Sequence, residues 1–174
     1  MTKKIRIGNA GGFWGDDRSA LKRQIQGGEL DFITMDFLAE ITMSIMQKQK
    51  VRNPELGYAS DFIKMLDDVL EESLDKKVKI ITNAGGVNPR GCAIEIDKIA
   101  KKLGKDIKIG VVYGDDILGD IDSLQKDHDI AFDNMETSEK FKDVRDHLVA
   151  ANVYFGAKGV VEALQAGADI IVTG

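Results

Sequence analysis

The chain has 174 residues, a length that suits one domain able to bury a hydrophobic core. Its hydrophobic fraction of 43% and charged fraction of 30% are ordinary for a globular protein. A net charge of −5 argues against a nucleic acid or an anionic membrane held by bulk electrostatics. The single cysteine, Cys92, excludes an internal disulfide, and no apolar run reaches the ~18 residues of a membrane helix. We therefore expect a soluble, cytoplasmic protein with a single α/β domain.

Short apolar segments alternate with amphipathic ones along the chain. We predict strands over 5–7, 30–35, 78–82, 107–113 and 169–173. We predict helices over 19–26, 38–50, 61–75 (capped by Ser60), 92–103, 138–148 and 156–166, with loop or short helix over 117–137. The strands look apolar on both faces, as buried parallel strands do. The alternation is typical of βαβ units with right-handed crossovers.

This order of elements predicts a three-layer α/β fold, Rossmann-like, with a mostly parallel sheet and helices on both faces. Part of a (β/α) barrel is the alternative, because it has the same order of elements. We prefer the open sheet because the units differ in length and a long insertion follows Asp116. The chain ends at Thr173-Gly174, where a strand should lead into a loop. We therefore expect the N-terminal part of a longer protein.

Small and polar residues concentrate where the predicted strands end. The sequence Asn-Ala-Gly-Gly occurs twice, at 9–12 and at 83–86, after the first and third strands. Ligands of open parallel sheets bind outside the carboxyl ends of the strands, so we expect the binding site there. The candidate ligand-binding residues are Asn9, Gly11, Gly12, Trp14, Asp36, Asn83, Gly85, Gly86, Asn88 and Arg90. The alternative is that these loops are only tight strand-to-helix turns.

Several features of these loops favour an anion. Glycine lets the backbone approach a ligand, and helix N-termini carry positive potential. Arg90, between Pro89 and Gly91, could hold a carboxylate or phosphate through two hydrogen bonds, the alternative being a surface arginine. Trp14 either walls an apolar pocket or packs its loop onto the core. Residues 8–12 do not fit G-x-G-x-x-G and no Gly-Lys-Ser/Thr occurs, so two standard nucleotide motifs are absent.

Paired carboxylates supply the candidate chemistry. Asp115 and Asp116 follow the fourth predicted strand and are the candidate catalytic residues, as a general base or as ligands of Mg²⁺. Asp16 and Asp17 have a strong alternative explanation as caps of the first helix. Asp36 has the same alternative at the start of the second helix.

Cys92 lies near a predicted helix start, where a thiolate is favoured, yet a small packed cysteine is the simpler explanation. A cysteine nucleophile needs a base, and the histidines, His128 and His147, lie far along the chain in polar segments. We expect both on the surface, and they lack the spacing of zinc ligands.

Seven segments carry a resemblance to a known family. They are 9–17 (NAGGFWGDD), 36–44 (DFLAEITMS), 53–62 (NPELGYASDF), 83–93 (NAGGVNPRGCA), 114–116 (GDD), 151–157 (ANVYFGA) and 167–174 (GADIIVTG). Together they resemble the N-terminal region of the acyclic terpene utilisation (AtuA) family, formerly classed as a domain of unknown function. The resemblance implies a cytoplasmic bacterial protein linked to breakdown of branched, terpene-derived acids. It assigns no catalytic role to any residue.

Two functions stay open. The first is an enzyme that binds the anionic part of a small carboxylate or acyl-CoA, with a CoA ester as candidate substrate and Mg²⁺ as candidate metal. The second is a non-catalytic ligand-binding or subunit-interaction module that needs a missing C-terminal part. Both functions predict a small anionic ligand as partner, and both predict that no nucleic acid or membrane is a partner. A homo-oligomer is left open.

Overall fold

The computed structural model describes residues 4–174. Its strands are β1 (Ile7–Asn9), β2 (Phe32–Met35), β3 (Lys79–Thr82), β4 (Ile109–Val112) and β5 (Ile170–Thr173). Its α-helices are α1 (Ala20–Gly27), α2 (Glu40–Arg52), α3 (Ser60–Asp67), α4 (Leu70–Asp75), α5 (Pro89–Lys102), α6 (Ile121–His128) and α7 (Lys158–Gln165). Two 3-10 turns occur at Phe141–Asp143 and Arg145–His147. None of the helices described combines the length and apolar character needed to cross a bilayer.

These elements belong to two compact units. The first unit consists of the described residues up to Tyr113 together with Gly156–Gly174, and it holds the five strands and all the described α-helices except α6. The second unit is Gly114–Phe155, and it holds α6 and the two 3-10 turns. Its aromatic contact joins Phe132 and Phe141, whose ring centroids are 5.6 Å apart.

The first unit is built on a parallel five-stranded sheet in the order β1-β2-β3-β5-β4. In the centre of the sheet, Ile80 pairs with Ile33 on one side and with Ile170 on the other. The last strand in the chain is therefore inserted between β3 and β4, while β1 and β4 form the edges of a sheet that does not close within the described residues. The predicted α/β class with a parallel sheet is confirmed.

Helices cover both faces of this sheet. Ile170 and Val172 of β5 belong to the main core. That core also contains Leu21 of α1, Phe62 of α3 and Ile96 of α5. Successive strand residues point to opposite faces, so Ile171 and its register partner Gly110 lie on the other face. There α7 comes so close that a Cβ on Gly110 would lie 2.7 Å from the Ala163 Cβ. The chain moves across the sheet in one direction from β1 to β4 and then back to β5. Because crossovers are right-handed, this change of direction places α7 on the face opposite α5.

The strands are less buried than their sequences indicate, and the first strand is displaced. Only β5 is buried on both faces, whereas β2 and β3 alternate half-buried with buried residues. The first strand lies at 7–9 and not at 5–7. The Arg6 N–H donates to the Asp31 carboxylate at 2.8 Å, which takes this donor away from the strand ladder. A side-chain bond from a residue 25 positions away, which hydrophobicity does not report, therefore contributes to where the strand begins.

Two predicted helices were wrong in part. The helix predicted over 61–75 is divided at Val69, which leaves the helical conformation (φ −138°, ψ −4°) and buries its side chain in the core. Ser60 is the first helical residue of α3, with Ala59 at the cap position. The helix predicted over 138–148 forms only the two short 3-10 turns. Ser138 has a φ of +61°, which an α-helix does not accommodate.

Candidate functional site

Hydrogen bonds tie together the loops that follow β1, β2 and β3 at the carboxyl edge of the sheet. Asn83 Nδ2 donates to Asp36 Oδ1 at 2.7 Å, and Asn83 Oδ1 accepts from the Phe37 N–H at 2.8 Å. The Asp36 N–H donates to the Gly11 carbonyl at 2.9 Å. Three of the candidate residues, from three separate loops, are thus joined at one edge of the sheet.

The first Asn-Ala-Gly-Gly loop binds a carboxylate of its own chain. The Gly12 N–H donates to Asp16 Oδ2 at 3.0 Å, and the Asp17 N–H donates to Asp16 Oδ1 at 2.8 Å. These two bonds hold the pKa of Asp16 below its ordinary value, and the bond from Gly12 has the larger effect. The Gly11 N–H is taken by Asn9 Oδ1 at 3.0 Å. The amides of Gly11 and Gly12 are therefore not free to bind an anionic ligand in this conformation.

Asp17 organises the start of α1. Its Oδ1 accepts from both the N–H and the hydroxyl of Ser19, and its Oδ2 lies 2.7 Å from the Arg23 guanidinium. The Ser19 hydroxyl and then Arg23 lower the pKa of Asp17 to about 2. These bonds support the interpretation that the Asp16-Asp17 pair orders the helix start.

The aromatic residues of the first loop have different surroundings. Trp14 is half-buried and packs against the main core. Phe13 instead lines a small, partly open pocket of about 10 Å³, whose walls include Met35, Phe37 and Met65. Packing of the loop onto the core therefore explains Trp14, and its place in a ligand pocket stays a prediction.

Asn88 uses its whole side chain to hold the second loop in place. Its Nδ2 donates to the Leu56 carbonyl at 2.9 Å and the Pro54 carbonyl at 3.2 Å, and its Oδ1 accepts from the Gly91 N–H at 3.0 Å. Asn88 is the N-cap of α5, and Pro89 is its first residue. The helix therefore begins three residues before the predicted start at Cys92, and Arg90 lies in its first turn.

The second Asn-Ala-Gly-Gly loop is closely packed over the end of β5. A Cβ on Gly85 would overlap the Thr173 carbonyl oxygen and lie 2.7 Å from the Pro89 Cβ. Gly86 has a φ of +52°, and a Cβ there would overlap the Met46 sulfur. Tight packing thus accounts for both glycines. The Gly85 N–H donates to no residue that the structure describes, although Gly85 is buried.

Arg90 lies over the ring of Tyr113, with its guanidinium carbon 4.2 Å from the ring centroid. Arg90 is exposed and makes no ion pair or hydrogen bond through its guanidinium within residues 4–174. Tyr113 directly follows β4 and is 57% exposed. From β3 the chain enters α5 on one face, and the chain after β4 later returns as α7 on the other. Arg90 and Tyr113 thus follow two strands on either side of β5, at the carboxyl edge where open α/β sheets bind ligands.

Cys92 is a packed core residue. It is fully buried, and burial, followed by the charge of Glu95, raises the pKa of its thiol to about 12. A thiolate nucleophile is therefore disfavoured at this position. Both histidines are exposed, as expected.

The second unit holds the Asp115-Asp116 pair. Asp115 Oδ2 accepts from Asn152 Nδ2 at 2.8 Å, and Asp116 Oδ1 accepts from the Leu118 N–H at 3.1 Å. Asp116 and Asn152 also form an isolated antiparallel bridge. Their local role is therefore to order the turn that opens this unit. In the part of the chain described, no group of three or more His, Cys, Asp and Glu is arranged to hold a metal.

Comparison with known proteins identifies the family. The model for "Acyclic terpene utilisation family protein AtuA" matches residues 5–174. The chain belongs to this family. The match runs through both compact units, and it confirms the resemblance drawn from the sequence motifs. No curated protein and no solved structure shows a match to the chain.

In this AtuA family member, two residues at the carboxyl edge are not predicted by the sequence pattern. Tyr113 ends a predicted strand, and its position after an apolar run is the only signal it carries. Lys50 of α2 donates to the Val87 carbonyl at 2.6 Å and forms no ion pair with any residue described. No local pattern distinguishes Lys50 from the other lysine of its helix.

Proposed function

We propose that the protein binds the anionic part of a small carboxylate or an acyl-CoA at the carboxyl edge of its sheet, in the catabolism of branched or terpene-derived acids. The observation that carries the proposal is the guanidinium of Arg90, which has no anionic partner among the described residues and lies on Tyr113. An arginine presents N–H groups in a planar fork that matches a carboxylate or a phosphate. The family name supports the terpene-derived class of substrate.

The backbone around Arg90 supports the same ligand. Arg90 lies in the first turn of α5, a 14-residue helix whose N-terminal end carries positive potential. The neighbouring Gly85 N–H has no acceptor within the described chain. Lys50 adds a cation without an ion-pair partner beside Val87. Backbone and cationic donors are thus found on the loop that leads into α5, on the same side of the sheet as Arg90.

We further propose that the protein is an enzyme in which Asp115 or Asp116 serves as a general base or as a ligand of Mg²⁺. Each carboxylate has one oxygen engaged in the turn of the second unit. Asp115→Asn and Asp116→Asn should each keep these bonds, because an amide oxygen accepts as a carboxylate does. Loss of turnover with unchanged ligand affinity in either variant supports the assignment. Full turnover in both contradicts it.

A second candidate is a non-catalytic ligand-binding or subunit-interaction module. The bonds of Asp115 and Asp116 favour it, because each carboxylate already accepts a hydrogen bond that orders the turn of the second unit. This candidate predicts that the chain binds acetyl-CoA or propionate without converting either. We place both candidates in the cytoplasm, which a single reduced thiol supports.

Calorimetric titration with acetyl-CoA, propionate and inorganic phosphate tests the binding site. Arg90→Gln should weaken the affinity at least about tenfold, since hydrogen bonds to charged groups contribute about 1.5–3 kcal/mol. Arg52→Gln is the matched control, because Arg52 is also exposed and has no ion pair among the described residues. At 100 times its Kd a ligand should stabilise the fold by about 2.7 kcal/mol. Absence of binding by all three probes, or equal affinity in Arg90→Gln and wild type, would overturn the proposal.

A further inference from the structure

We infer that Tyr113 is a positioning residue, whose ring holds the Arg90 guanidinium in the orientation that receives the anion. The inference rests on the proposed function for the identity of the ligand, whereas the contact between Arg90 and Tyr113 is observed independently of any ligand. The guanidinium carbon lies 4.2 Å from the ring centroid, well within the range of a cation–π contact. No other interaction of the guanidinium occurs within residues 4–174, so the ring is what orients it.

The contact leaves the donors of Arg90 available. The five N–H groups of arginine point outward in the plane of the guanidinium, whereas the ring covers one face of that plane. An anion can therefore approach the edge of the guanidinium while the ring remains in place. A carboxylate elsewhere on the protein would occupy the same donors. Ion pairs of this kind occupy three other arginines of the first unit: Arg6, Arg18 and Arg23.

Tyr113 is suited to this task because its backbone is anchored. Tyr113 follows Val112, which pairs with Thr173 of β5. The sheet therefore fixes the backbone position from which the Tyr113 side chain extends. Arg90 has a long side chain that is exposed and otherwise unrestrained. Holding such a chain before the ligand arrives reduces the conformational entropy that binding costs. The strand thus fixes the ring, and the ring fixes the cation.

The ring, and not the hydroxyl, makes the contact. The Tyr113 hydroxyl forms no hydrogen bond with a residue that the structure describes, and the side chain is more than half exposed. Tyr113→Phe should therefore preserve the position of Arg90, whereas Tyr113→Leu removes the aromatic face and keeps an apolar side chain. The pair of variants separates positioning from a general effect on the fold, and equal thermal midpoints of the two provide the control.

The first experiment needs no ligand. NMR order parameters of the Arg90 Nε–Hε bond, assigned with Arg90→Lys, are measured in wild type, Tyr113→Phe and Tyr113→Leu. We expect high and equal values in wild type and Tyr113→Phe and a clear decrease in Tyr113→Leu. Equal values in all three proteins would overturn the positioning role.

The second experiment measures acetyl-CoA and propionate affinity by calorimetry. Tyr113→Leu should weaken binding about two- to fivefold, the range of an exposed cation–π contact, and Tyr113→Phe should restore it. In an Arg90→Gln background, Tyr113→Leu should have no further effect. If Arg90→Gln weakens binding but Tyr113→Leu does not, the inference fails and the proposed site stands. If Arg90→Gln has no effect, the proposed site fails, and the order parameters still decide whether Tyr113 positions Arg90.

Discussion

The amide of Asn83 faces the carboxylate of Asp36 across the ends of two neighbouring strands, with 2.7 Å between Nδ2 and Oδ1. The same amide accepts the N–H of Phe37, so one side chain satisfies a backbone donor and orients a carboxylate. The carboxylate also accepts the Leu38 N–H at 3.1 Å. The second loop therefore determines how the chain leaves β2, and the candidate site depends on this side-chain pairing.

Substitutions in this pair should have unequal effects. Asn83→Ala leaves the part-buried Phe37 N–H without its acceptor, which should lower the free energy of unfolding by about 1–3 kcal/mol. Asp36→Asn should change it by less than about 1 kcal/mol, because an amide oxygen can still accept from Asn83 and Leu38. Urea unfolding of the two variants checks the difference. Equal losses in both would show that the charge of Asp36, and not the hydrogen-bond pattern, holds the loops.

The two Asn-Ala-Gly-Gly loops should differ in their tolerance of alanine. Gly85→Ala places a methyl group against the Thr173 carbonyl and Pro89, and we expect a loss of about 2–3 kcal/mol in the free energy of unfolding. At Gly11 the atom nearest to an added methyl group is Met35 Cε at 3.9 Å, so Gly11→Ala should cost less than about 0.5 kcal/mol. Thermal or urea unfolding measures both. A severe effect at Gly11 with little effect at Gly85 would contradict the packing described.

Asp17 should titrate far below its ordinary pKa. The Ser19 hydroxyl and Arg23 lower its pKa from 3.8 to about 2, so its charged form stabilises the fold above pH 3.8. That contribution is lost as the pH falls from about 4 towards about 2, because the proton binds the unfolded chain first. NMR titration of the carboxyl carbon should give a midpoint near 2, and Ser19→Ala should raise it. A wild-type midpoint near the ordinary 3.8 would show that the bonds around Asp17 are not maintained in solution.

Cys92 should be unreactive until the protein unfolds. A fully buried thiol with a pKa of about 12 is almost entirely protonated near neutral pH, and the thiolate is the nucleophile. We expect slow labelling by a disulfide reagent under native conditions and fast labelling in denaturant. Cys92→Ala should reduce stability by about 1 kcal/mol and leave the affinity for acetyl-CoA unchanged. Rapid native labelling, or loss of binding in Cys92→Ala, would return Cys92 to the candidate site.

The sequence predicts the alternation of strands and helices and the concentration of polar residues at the carboxyl edge. It cannot predict that β5 lies between β3 and β4, because that pairing joins residues far apart in the chain and leaves no local pattern. The predicted start of α5 is wrong because Asn88-Pro89 suggests a break, although an asparagine followed by proline is also typical of a cap and first helical residue.

The two identical loops show a second limit of local patterns. Gly11 and Gly85 occupy the same place in Asn-Ala-Gly-Gly, yet only at Gly85 would a Cβ overlap neighbouring atoms. The partner of Arg90 is Tyr113, which lies at the end of a different strand. Residue type indicates that Arg90 is a candidate, but the side chain that orients it depends on the order of strands in the sheet.

Asn88 joins two parts of the first unit through a single side chain. Its Oδ1 caps α5, while its Nδ2 holds the carbonyls of the turn that follows α2. Neither part can unfold locally without breaking bonds of the other. In native-state hydrogen exchange, the first turn of α5 and the segment 53–57 should therefore open together, with one common free energy of opening. A ligand bound at Arg90 should then slow amide exchange in the segment 53–57 as well, although that segment lies more than 30 positions earlier in the sequence.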